Sequence, residues 1–153
     1  MYQALVLVHL VGVVVFALAH GVSIFAAFRV RGETDPKIVA AVLGMSKSAV
    51  LLLYVGLILL GIGGFGAAWQ ADLLLAPWAI ASYVAIVIVF GVMMTVGTPY
   101  YVRVRSLVGP HGEGAPDPEV LRQTLATRRP EVLVTVGSIG LLVILWLMVV
   151  KPS

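Results

Sequence analysis

Residues 9–20 read HLVGVVVFALAH, two histidines separated by ten residues without a charge, inside an apolar run that extends from about residue 3 to residue 28. A run of that length matches the roughly 20 apolar residues that an α-helix needs to cross a bilayer core. It is too long, and too poor in basic residues before it, to read as a cleaved signal segment, and Arg29-Val30-Arg31 closes it as a stop. We read it as a retained first membrane helix.

Three further runs qualify, at about 48–68, 77–102 and 131–150. Composition agrees: 61% of the 153 residues are hydrophobic and 11% charged, with a mean hydropathy of +1.08, which is too little polar surface for a water-soluble domain of this size. The expected fold is therefore all-α, an integral membrane four-helix bundle forming a single four-span domain over 1–153. The connections at 29–47 and 103–130 should be cytoplasmic. There are no cysteines, which excludes a disulfide framework and thiolate metal ligation.

Charge sets the expected orientation. Nine of the ten basic residues, among them Arg29, Arg31, Lys37, Lys47, Arg103 and Arg129, flank or fill the 1–2 and 3–4 connections, and only Lys151 lies at the other end. Basic loops stay inside, so both termini and the 69–76 loop should be outside and the chain multi-pass in the cell's inner (cytoplasmic) membrane. Trp69, Trp78 and Trp146 fall near the outer boundary, where indoles prefer the interface. Arg29, Arg31, Lys47, Arg103, Arg105 and Arg129 are expected to meet lipid headgroups.

The two basic connections resemble each other. Arg29-Val30-Arg31 is followed by Asp35-Pro36 and Lys47; Arg103-Val104-Arg105 is followed by Asp117-Pro118 and Arg129, with the insertion VGPHGEGAP in the second copy. In both, the Asp can cap a helix whose first residue is the Pro. Two parallel hairpin repeats would follow, related by an axis along the membrane normal. Matching Arg29 to Arg103 sets His20 opposite Met94 and His9 opposite Tyr83.

His9 and His20 lie about 20° apart around the helix and roughly 16 Å apart along it. Gly12, Phe16 and Ser23 share their stripe, which should face the bundle because lipid offers no hydrogen-bond partner. Imidazole there can ligate haem iron or copper, relay protons, hydrogen-bond a quinone, or simply tie helices together. His9, His20, Met94 and Tyr83 are the candidate cofactor-binding residues. Thr98-Pro99 should kink the third span. Glycines at 56, 61, 63, 64 and 66, with 137 and 140, should let helices approach closely. The span interiors carry no acidic residue, and the chain has no Walker motif, paired carboxylates, His-x-x-x-His pattern or Ser/His/Asp set.

Three features together resemble the copper-resistance D-like superfamily of small membrane bundles, which includes the membrane protoporphyrinogen oxidases. They are His9 followed by Phe16, the Trp of PWAIAS at the start of the third span, and the ending LMVVKPS. The resemblance implies a haem-ligand role for His9. The oxidases also carry a lysine in the third span, and Ser82 stands in its place here, so the resemblance is nearest an uncharacterised branch.

The expected function is that of a small membrane protein without a catalytic set, an accessory subunit or free-standing bundle. The alternatives are a haem b- or copper-binding redox protein using His9 and His20, and a small-solute transporter acting as a homodimer. Expected partners are the lipid bilayer and a homo-oligomer or larger membrane complex, with no nucleic acid.

Overall fold

The computed structural model describes residues 1–152 and is all-helical, with no strand among them. Helix α1 spans Tyr2–Arg29, α2 Pro36–Gln70, α3 Pro77–Val92, α4 Thr98–Val108, α5 Pro118–Leu125 and α6 Arg129–Val150. A π-helical turn, Met93–Gly97, joins α3 to α4. Four stretches are long and apolar enough to cross a membrane: α1, α2, α3 with α4, and the stretch containing α6.

Both Asp-Pro pairs start helices as the sequence implies. The Asp35 carboxylate accepts from the Lys37 N–H at 2.8 Å, and Asp117 accepts from the N–H groups of Glu119 and Val120 at 2.8 and 3.3 Å. These bonds satisfy orphan donors of the first turn, and the proline after each Asp has no N–H to orphan. The two copies then diverge. From Pro36, α2 runs 35 residues without a break, whereas α5 stops after eight and α6 begins afresh at Arg129. The cause is local. Thirteen residues after Asp117 stands Pro130, whose ring would clash with the carbonyl of Ala126 in a continuous helix; thirteen after Asp35 stands Ser48.

Helices α1 and α2 form one tight antiparallel hairpin. Its contacts run through glycine: Gly12 lies against the Leu60 backbone, Gly63 against that of His9, and a Cβ built on Gly56 would come within 2.6 Å of the Phe16 nitrogen. Backbones this close gain dispersion contacts that a larger side chain would forbid. Helices α3 and α6 pair in the same antiparallel sense, with Gly140 against Val89 and Gly97 against Leu133.

Pro99 leaves its mark one turn upstream rather than as a simple kink. Lacking an N–H, it cannot continue the ladder, and the chain widens to π spacing over Met93–Gly97, the Thr98 N–H reaching the Met93 carbonyl. The Thr95 hydroxyl donates to the Gly91 carbonyl at 2.8 Å within this widened stretch.

The hairpins join most firmly at the basic end. Val30, Val39, Leu43, Tyr100, Val104, Val108, Leu121 and Leu125 form a buried apolar cluster from α2, α4, α5 and the end of α1. Polar ties surround it: Arg31 pairs with Glu131 at 2.7 Å, Tyr101 donates its hydroxyl proton to the Ser23 carbonyl at 3.0 Å, and Arg105 donates to the Leu43 carbonyl at 3.4 Å. At mid-depth, α1 meets α6 where the His20 ring abuts Gly137. Toward the other end the hairpins part.

Candidate functional site: the crevice between the hairpins

Where the hairpins part, they enclose a crevice of about 440 Å³, open at one side. It is lined by α1 and α2 on one wall, α3 and the end of α6 on the other, and its surface is mostly apolar. Six side chains give it chemistry: Tyr2, His9, Trp78, Ser82, Tyr83 and Lys151.

His9 is held by a specific bond. Its Nδ1 lies 2.8 Å from the Leu60 carbonyl oxygen across the helix pair. A carbonyl can only accept, so Nδ1 carries the proton and, in the neutral ring, Nε2 is an acceptor. The ring fits because residue 64 is glycine: a Cβ there would sit 2.7 Å from Nδ1 and 2.9 Å from Cε1. Opposite, the Ser82 hydroxyl is spent on the Trp78 carbonyl at 2.8 Å. The Lys151 ammonium stands 5.6 Å from the centre of the Trp78 ring and makes no ion pair among the described residues. A cation over an indole face is attracted by the ring quadrupole, which places a positive charge at one edge of the crevice.

The sequence register set His9 opposite Tyr83, and the fold does bring both to this crevice. It set His20 opposite Met94, and there the fold differs. Met94 turns outward, 45% exposed, its sulfur accepting from the Thr98 hydroxyl at 3.8 Å. Its neighbour Met93 turns inward instead. A Cβ on Gly137 would lie 2.6 Å from His20 Nε2 and 3.0 Å from the Met93 methyl. The pairing comes from matching Arg29 to Arg103, and the π turn at Met93–Gly97, which the chain crosses between Arg103 and Met94, changes the angular step per residue there.

His20 occupies a separate site. Its ring stacks on Phe16, 6.0 Å between centroids and 10° between planes, and its Nε2 is buried with no partner among the described residues. Both imidazoles thus point into protein, as lipid requires, but they do not converge. Roughly 16 Å of helix separates them, so they do not fit opposite faces of one haem iron or one copper ion. Among the described residues no group of three or more His, Asp and Glu side chains is placed to hold a metal.

The basic residues sort into two sets. Arg31 is taken by Glu131 and the Thr127 carbonyl, and Arg105 by the Leu43 carbonyl and the Tyr101 ring at 5.7 Å. Both guanidinium groups are engaged within the fold. Arg29 makes a looser pair with Glu33 at 3.6 Å. Lys47, Arg103 and Arg129 have no carboxylate partner among the described residues. Sequence reasoning missed Tyr100 and Tyr101, although a tyrosine doublet beside an Arg-x-Arg run at a span end is the kind of signal that marks a buried, interface-level contact.

Residues 3–152 match the family described as predicted integral membrane protein, DUF2269. The chain belongs to that family. The match covers all four spans and both the crevice and the basic end, in keeping with a bundle in which no catalytic set has been found. No curated protein and no solved structure matches the chain.

Proposed function

We propose that this membrane bundle binds a lipophilic molecule bearing a hydroxyl group in the crevice between its hairpins, without transforming it. The observation that carries the reading is the fixed tautomer of His9. With Nδ1 donating to Leu60, Nε2 on a crevice wall seeks a donor, which a phenol, hydroquinone or alcohol supplies and a quinone or ether does not. The apolar walls suit a hydrocarbon or aromatic body, and Lys151 over Trp78 favours a polar or anionic end at the mouth. A site of this composition has a place for a ligand and no evident nucleophile, acid–base pair or metal centre.

The test is titration of the detergent-purified chain, read by Trp78 fluorescence in a Trp69→Phe/Trp146→Phe background, with a short-chain hydroquinone and with its dimethyl ether. The hydroquinone should bind about tenfold more tightly than the ether, the worth of one desolvated hydrogen bond, and His9→Phe should erase the difference. Equal binding of the two compounds would overturn the reading.

A second reading, that of an accessory subunit or homo-oligomer, is favoured by Gly21 and Gly91. Nothing lies within 4 Å of a Cβ built on either, and neither lines the crevice, so these small residues face outward and can receive a partner helix. The mass of the detergent-extracted particle distinguishes a bare chain from an assembly. Placement in the cytoplasmic membrane with the basic end inward belongs to the same proposal, supported by the nine-to-one distribution of basic residues. So does kinship with the copper-resistance D-like superfamily, supported by His9, Phe16 and Trp78.

A further inference from the structure

At the opposite end of the bundle from the crevice, the break between α5 and α6 leaves a second cavity, of about 350 Å³, between that break and α4. Tyr100 and Arg103 line it from α4, Gln123 and Thr124 from α5, and Thr127 and Arg129 from the break itself. Tyr100 is 1% exposed, and its hydroxyl, buried in the wall, has no hydrogen-bond partner among the described residues. A buried phenol left unpaired costs free energy, so an acceptor belongs beside it.

The charge around that hydroxyl has one sign. Arg103 and Arg129 carry no ion pair among the described residues, while the nearby carboxylates are already spent, Glu131 on Arg31 and Glu119 on Arg122 and Gln123. The start of α6 adds to it. Its N-cap, Arg128, gives no side-chain cap, and Pro130 has no N–H, so the Arg129 and Glu131 N–H groups are left uncapped at the positive end of a 22-residue helix whose first residue, Arg129, lines the cavity. Two guanidinium groups and an uncapped helix start are donors only, and the orphaned phenol has an O–H to donate. Together they match a group with several acceptor oxygens and negative charge.

We propose that this cavity binds a phosphate group. At a basic membrane boundary the group has two sources, the headgroup of an anionic phospholipid or a soluble phosphate. The site is independent of the crevice and stands or falls separately from it. Its existence follows from Pro130: the first copy of the connection, with Ser48 in that place, has a continuous helix and no such break.

The experiment is native mass spectrometry and thermal unfolding of the full-length chain in detergent, with phosphatidylglycerol, with phosphatidylcholine, and with inorganic phosphate. Phosphatidylglycerol should be retained about tenfold better than phosphatidylcholine, and the advantage should vanish in Arg103→Gln/Arg129→Gln. Tyr100→Phe, which keeps the ring that packs the core, should weaken retention several-fold. Arg122→Gln, which removes one positive charge from a residue already paired with Glu119, should leave it unchanged, whereas Arg103→Gln or Arg129→Gln alone, at the same change of charge, should each weaken it. Stabilisation by inorganic phosphate that competes with the lipid would assign the site to soluble phosphate; retention of lipid with phosphate inert would assign it to the headgroup. If neither binds, or if Arg122→Gln weakens binding as much as Arg103→Gln/Arg129→Gln, the proposal is overturned.

Discussion

His9 Nδ1 and the carbonyl oxygen of Leu60 are 2.8 Å apart, and the bond joins α1 to α2 at a level where the next polar tie between these helices is the Ser23–Ser46 pair, at 3.3 Å and close to the basic end. The carbonyl of Leu60 already serves the α2 ladder, so the imidazole uses its second lone pair. This one bond orients the ring on the crevice wall, sets its tautomer and leaves Nε2 as the ring nitrogen not used by the fold. Structural tie and binding group are the same residue, and they can be separated by substitution at its neighbour.

Gly64→Ala places a methyl 2.7 Å from His9 Nδ1 and must push the ring off Leu60. The imidazole remains but its tautomer is no longer fixed. Ligand discrimination between hydroquinone and ether should fall nearly as far as in His9→Phe. The cost in stability should be about 1 kcal/mol, the usual worth of an interhelical hydrogen bond in a membrane. Thermal unfolding in detergent and the fluorescence titration check the two halves of this expectation.

Glycine substitutions should separate sharply by position. At Gly12 and Gly63 an added Cβ meets the backbone of the facing helix, which no rotamer change relieves, so Gly12→Ala should lower stability by about 2 kcal/mol or more, as overpacking does. At Gly21 the same change meets open space, and the helix gains roughly 0.5–1 kcal/mol from alanine's propensity. Reversible unfolding of the two variants side by side reads the difference directly. A matching loss at Gly21 would point to a partner helix seated there.

Hydropathy made the spans legible because their length is imposed by the bilayer, and the Asp-Pro starts because capping is a local code. His9 and Tyr83 were placed together by the repeat register, and both line the crevice. Within the π turn the register fails, and Met93 rather than Met94 faces His20. Tyr100 and the phosphate-matching cavity were not legible at all. They depend on how α5 folds back against α4, a long-range arrangement that follows from Pro130 only once the packing is known.

The 109–117 loop should loosen in acid. Glu113 is held below the usual carboxylate range by backbone N–H groups, its own and that of His111, the latter at 2.7 Å. Because the folded value is depressed, the contribution of this carboxylate is complete above its ordinary range and is lost as pH falls through the folded value. Amide exchange at His111 should therefore accelerate as pH drops below the usual carboxylate range, after correction for intrinsic rates. Glu113→Gln should show the faster exchange already at neutral pH.

The absence of native cysteine makes orientation directly measurable, since a single introduced thiol is the only one in the chain. Leu75, 84% exposed in the loop before α3, and Ala115, exposed in the loop before α5, mark the two ends. In intact spheroplasts a membrane-impermeant maleimide should label Leu75→Cys and spare Ala115→Cys, and permeabilisation should expose both. The reverse pattern would put nine basic residues on the outside and remove anionic cytoplasmic-leaflet lipid as a source of the phosphate at Arg103 and Arg129. Labelling of both in intact cells would mean a mixed topology, which a nine-to-one charge asymmetry argues against, because each inverted molecule would have to carry its whole basic end across the membrane.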